Sequence, residues 1–344
     1  VSQAKIKNNQ DLVSSAQYLS LATYRCPKCQ SGNHLSLSGS GQEVCCANCG
    51  ENYPLQEGVF NFLKNPSKAT ANELKGMALE NGFKENEVTS YQIRRHNSFP
   101  GFSEKLKSTE GEHSHYYLQT KMNYDQAMKQ LGQVGNSRVL EIGSCHDYYF
   151  LKPFQTVNAE CFALNIHYDL VHDPKFESWP TKVIGDMNDL PFKDGTFDFV
   201  IISATSHHST TPEILVQEIH RVLKLGGKCL MINDPTWGII KNLGGPDNTQ
   251  AHRESHINEN EYSIWRYNSM FRKAGFDYQH LFSDFYDQRL LNMAIHPRTR
   301  FASVAKLVKR FWQVSFFRQL CKRHLLWFAQ AVFGFPMNVV LTKK

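Results

Sequence analysis

Four of the nine cysteines in this 344-residue chain stand at metal-binding spacing. Cys26-Pro-Lys-Cys29 is followed, after sixteen residues, by Cys46-Ala-Asn-Cys49. Two such knuckles put four thiolates around one tetrahedral ion, and zinc is the ion this set suits. Four sulfur ligands leave no position for water, so the expected role is structural. Cys45 competes with Cys46, but only Cys46 keeps the two-residue gap, and Gly50 suits the turn behind the second pair. The competing reading is a pair of reduced or redox-active turns. Thioredoxin-type chemistry needs a βαβ setting that residues 21–63 lack.

A second constellation starts at Arg138-Val-Leu-Glu-Ile-Gly-Ser-Cys-His-Asp147. Val139, Leu140 and Ile142 read as a buried parallel strand that Glu141 and Gly143 close. Three further pieces follow in order: Gly185-Asp-Met-Asn-Asp-Leu-Pro-Phe192, Gly195-Thr-Phe-Asp-Phe-Val-Ile-Ile202 and Glu218-Ile-His-Arg-Val-Leu-Lys-Leu-Gly-Gly227. The loop Ser203-Ala-Thr-Ser-His-His208 carries two histidines able to take a proton near pH 7. The bland reading of His207 and His208 is loop packing. His113, His115, His252 and His256 read as loop histidines, with no acidic spacing that would fix a metal.

Stepping from these residues to the elements that must hold them, strands are predicted near 138–142, 160–165, 181–184, 197–203 and 227–233. A helix is predicted over 211–224, with Pro212 in its first turn and Gly226-Gly227 as its stop. A helix over 261–274 and strands near 277–283 and 337–342 complete the pattern. Alternating strands and helices mean a parallel sheet. Residues 1–20 read as a flexible lead-in and 21–63 as a compact cysteine module. Residues 64–136 read as a helical linker or cap with a loop at Pro100-Gly101, and 137–344 as the α/β domain. A long polar stretch, 234–260, contains Gly244-Gly245-Pro246, and 284–334 is an apolar and basic insertion.

Composition sets outer bounds. The chain is 41% hydrophobic and 20% charged, ordinary for a globular protein. Residues 290–344 hold ten Lys and Arg and no acid. Subtracting them from the net +6 leaves −4 for residues 1–289. No run approaches the ~18 apolar residues that a spanning helix needs. The polar first twenty residues do not read as an export signal, and a start at Val1 is expected of a chain that was processed, trimmed or taken as a fragment. A cytoplasmic location is expected, with association at a membrane surface as the second address. Phe311, Trp312, Phe316, Phe317, Trp327 and Phe328 lie among the basic residues of 301–333. They pack on the sheet, or they meet a lipid surface or an RNA.

The four pieces, in their order and spacing, resemble class I S-adenosylmethionine (SAM) methyltransferases of the UbiE-like, type 11 group. The resemblance is clear over 137–234. It implies a Rossmann-like doubly wound α/β sheet, here with a small N-terminal zinc ribbon and a helical C-terminal insertion. It also implies that Glu141, Gly143, Ser144 and Cys145 pass under the methionine part of SAM. The acid that receives the ribose is represented by Asn165. Asp186 and Met187 stand at the adenine, and Ser203 faces the methyl group. His207 and His208 are the candidate catalytic bases. Cys145 and Asp147 occupy the places of two family glycines, which adds bulk and a charge that repels the cofactor's carboxylate. Either an adapted loop binds SAM or the fold has lost it. The stretch 46–59 resembles the zinc ribbon of rRNA guanine methyltransferases, and it is similar to small methyltransferase activator subunits. The implied activity is methyl transfer to an O or N atom of a small-molecule, glycan or lipid-linked acceptor. The alternatives are an rRNA or tRNA methyltransferase, and an inactive scaffold subunit with a protein partner at the ribbon.

Overall fold

The computed structural model describes residues 21–56, 58–64, 66–80, 102–107, 112–167, 176, 179–239, 258–292, 302–326, 330–331 and 334–344. The expectations for 1–20, for Pro100-Gly101, and for 240–257 with His252 and His256 lie outside the described residues. So do those for Trp327 and Phe328 and for the side chains of His113 and His115.

The cysteine module is a small antiparallel sheet: β1 (Leu35–Leu37), β2 (Glu43–Cys46), β3 (Asn52–Gln56) and β4 (Val59–Asn61). Three helices follow: α1 (Lys68–Glu80), α2 (Phe102–Lys107) and α3 (Glu112–Met128). The α/β part then runs β5 (Arg138–Ile142), α4 (Lys152–Gln155), β6 (Glu160–Asn165), β7 (Thr181–Ile184), β8 (Phe197–Ser203), α5 (Pro212–Val222) and β9 (Leu223–Asp234). A short parallel pair, β10 (Thr236–Trp237) and β11 (Tyr262–Ser263), precedes α6 (Ile264–Lys273) and β12 (Phe276–His280). Helices α7 (Asp284–Asn292), α8 (Ala302–Gln313) and α9 (Ser315–Leu320) fill the insertion, and β13 (Met337–Lys343) closes the chain.

Eleven strands form one sheet in the order β1-β2-β3-β4-β7-β6-β5-β8-β9-β13-β12. β7 to β9 are parallel through β6, β5 and β8, and β13 inserts antiparallel between β9 and β12. The chain moves outward from β5 through β6 to β7, then returns to the other side of β5 as β8. That reversal is a topological switch point, where loops diverge and leave a crevice at the carboxyl ends of the strands.

Alternation along the strands feeds two cores, as a pleated strand requires. Leu140, Ile142, Val200 and Ile202 pack with α5 and α6, while Val139, Phe199 and Ile201 pack on the other face against Tyr124, Ala127 and Leu131. One predicted boundary is corrected. Gly226-Gly227 does not stop a helix: α5 ends at Val222, and Leu223 is already extended and fully buried in β9. Gly226 has φ +74°, and a Cβ on Gly227 would lie 2.8 Å from the Lys224 carbonyl oxygen. The glycines therefore make a bend inside the strand, beside the register shift between Phe197 and Phe199.

The cysteine module is part of the main sheet. β4 pairs in parallel with β7, Phe60 opposite Val183. Tyr24 is fully buried, with its ring 5.2 Å from Phe60, 5.0 Å from Phe62 and 5.2 Å from Phe192. Beside it, Arg25 reaches Asp189 and Glu218, both at 2.9 Å, and donates from Nε to the Leu190 carbonyl at 3.2 Å. Burial pushes the Arg25 guanidinium down from its usual range, and the two carboxylates oppose that shift. Truncating Tyr24 removes a ring from the seam between module and sheet, and such deletions cost about 3–5 kcal/mol. Tyr24→Ala is expected to lower the urea midpoint of both parts in one coincident transition; separate transitions followed by metal release and by far-UV circular dichroism would contradict a shared core.

Candidate functional site

The four cysteines close on one point. The sulfurs of Cys26 and Cys49 are 3.7 Å apart, as are those of Cys29 and Cys46, and all four ligand atoms lie within 4.8 Å of one another. Zinc–sulfur bonds of about 2.3 Å in a tetrahedron set sulfur–sulfur edges of about 3.8 Å, so the set fits zinc without rearrangement. The two knuckles are built alike. Gln30 N–H bonds the Cys26 carbonyl at 2.8 Å, and Gly50 N–H bonds the Cys46 carbonyl at 2.9 Å. Gln30 and Gly50 both have positive φ, +62° and +72°. Cys45 stays outside the set.

At the switch point lies a cavity of about 410 Å³. Its floor is Glu141, Gly143 and Cys145 at the end of β5, and its flank is Leu164, Asn165 and Ile166 at the end of β6. Gly185 and Met187 after β7, with Ser203, Ala204 and Thr205 after β8, complete the sheet side. Phe102, Tyr116, Tyr117 and Phe150 form an aromatic wall opposite. Gly143 has φ +77°, and a Cβ there would lie 2.3 Å from Thr205 Oγ1. Only glycine fits, on both conformational and steric grounds. Ala204 next to it holds φ +46°, a strained value for a residue with a Cβ.

The expected site residues divide. Glu141, Gly143, Cys145, Asn165, Met187, Ser203 and His208 line the cavity, whereas Ser144, Asp186 and His207 stand behind its surface. Ser144 is fully buried and donates to Glu141 Oε2 at 3.0 Å. Asp186 is engaged within the fold: it accepts from Thr70 of α1 at 2.5 Å and from the Asn188 backbone N–H at 2.8 Å. Asn165 uses both ends of its amide, donating to the Ser144 carbonyl at 2.8 Å and accepting from Ile166 N–H at 2.7 Å. A carboxylate could not make the first of these bonds, which is a physical reason for an amide here. Asp147, expected to repel the cofactor's carboxylate, is not among the residues that line the cavity. Its carboxylate turns out of the cavity and accepts from Ser103 N–H, in the first turn of α2, at 2.7 Å.

The histidine loop is a cluster. His207 Nδ1 lies 3.1 Å from Asp234 Oδ1 at the end of β9, and His207 Nε2 lies 3.4 Å from Glu259 Oε2. His208 Nδ1 lies 2.9 Å from the Asn258 carbonyl oxygen and 3.1 Å from Glu73 Oε1 of α1. Burial works against a charge on His208, but Glu73 and Glu259 outweigh it and hold its pKa above the ordinary value. Glu73, Glu259, Asp234 and the aromatic wall were not singled out by sequence reasoning. Only Asp234, closing a predicted strand, carried a local signal.

With that geometry in place, comparison with known proteins bears on the fold of the sheet. Residues 140–231 match the family model described as a methyltransferase domain, so the sheet is a Rossmann-like methyltransferase sheet. A protein of Encephalitozoon cuniculi that bears a methyltransferase name is 34% identical over 105 residues, 30% of this chain and 46% of that protein. The demethylmenaquinone methyltransferase of Streptomyces griseus is 39% identical over 61 residues, 17% of this chain and 26% of the relative. The chain thus spans less than half the length of these curated relatives. Among solved structures, geranyl diphosphate C-methyltransferase from Streptomyces coelicolor superposes on 80% of this chain and 98% of its own, at 12% identity and TM-score 0.45. The complex of the Haloferax volcanii Trm112 methyltransferase activator with a methyltransferase covers 65% of this chain and 89% of its own, at 17% identity and TM-score 0.41.

Burial pushes the Glu141 carboxyl up to about 8; the hydrogen bond from Ser144 opposes this and the charge of Asp147 adds to it. The unfolded chain loses this proton near pH 4.3 and the folded chain near 8. Between those values the folded state holds the extra proton, so stability falls as pH rises through the window. Glu141→Gln removes the titration and keeps an acceptor for Ser144. Its melting temperature is expected to match wild type near pH 5 and to exceed it by a few degrees at pH 8.5; equal differences at both values would disprove the shift.

Proposed function

We propose that this chain transfers a methyl group from SAM to an O or N atom of a small-molecule acceptor. The observation that carries the reading is the cavity at the switch point, floored by a glycine that the fold cannot replace. In this reading Glu141, Gly143, Ser144 and Cys145 hold the methionine part of the cofactor. Asn165 accepts from the ribose, and Gly185 to Met187 border the adenine, with Asp186 bracing that loop through Thr70 and Asn188. SAM brings its own leaving group, so the protein supplies alignment and a place for a proton. The acceptor lies between the aromatic wall and the histidine loop. The His208–Glu73 pair takes its proton, and Asp234 orients His207 behind it. Zinc holds the four-cysteine ribbon as a structural ion.

Calorimetry with SAM and S-adenosylhomocysteine tests this. Wild type is expected to bind both with one site, and Gly143→Ala to bind neither while keeping its ribbon metal. Folded, zinc-loaded wild type that takes up neither ligand would leave the scaffold reading in its place.

A second reading concerns where the acceptor resides. Trp312 packs on Phe282 at 5.2 Å and donates to Asp287 at 2.8 Å, which fixes one side of α8. Among the described residues, Leu307 and Phe311 on α8, Val314 between the helices, and Phe316 and Phe317 on α9 are 41–70% exposed. Lys306 and Arg310 are exposed beside them. An apolar stripe flanked by cations suits an anionic lipid surface, and so a lipid-linked acceptor. Co-sedimentation with vesicles containing anionic lipid is expected, with loss on Phe316→Glu; recovery of the protein in the supernatant at low salt would end this reading.

A further inference from the structure

The ring nitrogens of the histidine loop are placed in a way that proton chemistry alone does not require. Both Nδ1 atoms face acceptors: Asp234 Oδ1 at 3.1 Å for His207, and the Asn258 carbonyl at 2.9 Å for His208. Each Nδ1 therefore carries a hydrogen, and in the neutral ring it is Nε2 that presents a lone pair. His207 Nε2 looks at Glu259 Oε2 across 3.4 Å. A lone pair and a carboxylate oxygen repel unless a proton or a metal cation joins them. The rings lie 4.2 Å apart, close for two imidazolium ions.

The charge balance points the same way. Asp234 is fully buried and Glu73 nearly so, while the Glu259 side chain is 21% exposed. Among the described residues no lysine or arginine pairs with any of the three. Among the described residues two imidazoles thus face three carboxylates.

We infer that His207, His208 and Glu259 form a second metal site, on the wall of the crevice, for a first-row divalent cation of the zinc class. One ligand atom from each lies within 4.8 Å of the others. Metal–nitrogen and metal–oxygen bonds of about 2.1 Å at a tetrahedral angle set a nitrogen–oxygen edge of about 3.4 Å. Two imidazoles and one carboxylate with further positions open is the donor set of catalytic rather than structural ions. Asp234 behind His207, and the Asn258 carbonyl behind His208, are the outer partners that fix a ligating imidazole. Asn260 ties the same segment back by donating twice to the His207 carbonyl, from its backbone N–H and its side chain, both at 3.1 Å. His208 and Glu259 line the cavity, so the open positions face it. On the methyltransferase reading, that ion would orient an acceptor bearing an oxygen donor. Glu73 is not a ligand: it faces His208 Nδ1 at 3.1 Å and accepts from the Asn258 N–H at 2.6 Å, and with His208 ligating the ion the acceptor's proton would fall to Glu73 alone.

The test uses the full chain with one equivalent of Zn²⁺ in the ribbon, titrated with Co²⁺. One further equivalent is expected, with the weak visible bands of a nitrogen–oxygen set and no new thiolate charge-transfer band. Glu259→Gln and His208→Ala should each weaken it at least tenfold, with ribbon zinc unchanged at one per chain. No second equivalent on folded protein overturns the inference and leaves a shared proton between His207 and Glu259. A second equivalent that both variants retain overturns it too, since the ion then sits elsewhere. The measurement needs no cofactor or acceptor. Metal binding without SAM binding would therefore sink the methyltransferase reading alone, and SAM binding without the second metal would sink this inference alone.

Discussion

The approach of Gly143 to Thr205 governs the functional half of the molecule. The chain leaves β5 and arrives from β8 at one point, and the space for a side chain between them is gone. Because the two loops touch there, they diverge above it, and the divergence is the crevice. Because β8 ends against that contact, the following turn carries Ala204 into a strained conformation and lifts His207 and His208 toward α1 and the segment 258–260. The amide of Asn165 then locks the neighbouring loop from the β6 side. The strain sits beside the histidine loop, where the surrounding contacts over-determine the backbone.

The helices that cover the crevice are held by polar contacts. Thr70 and Glu73 of α1 reach Asp186, His208 and the backbone N–H of Asn258, the last at 2.6 Å. These residues follow directly on the last strand of the cysteine module. The module, the covering helix and the cavity wall are thus consecutive in sequence and contiguous in space. One short connection thus joins the module to the histidine side of the cavity.

Legibility in the sequence followed the range of the interactions. The five parallel strands were readable because burial on both faces leaves uninterrupted runs such as Phe199 to Ile202. The cysteine cluster was readable because its ligands come in two local pairs. Gly226-Gly227 misled, since a glycine pair after a helix marks either a stop or a bend, and the choice rests on Leu223 finding a place opposite Phe197. Asn165 and Asp147 read as departures from a family pattern, yet both make hydrogen bonds that the pattern's own residues could not make. Glu73 and Glu259 were illegible in principle. They are separated from His208 by more than a hundred and by 51 positions, and nothing local distinguishes them from surface acids.

The pairing of β4 with β7 has a consequence for how the molecule survives in solution. A parallel sheet that ends in β7 would present a row of unpaired amides and carbonyls, a template for another chain. Here β4 satisfies that row, and the strand that does so belongs to the part held by four cysteines. The cysteine cluster is thus also a guard on the sheet's edge. Because module and sheet share the core around Tyr24, loss of the cysteine fold would bare that edge and loosen the sheet in the same step.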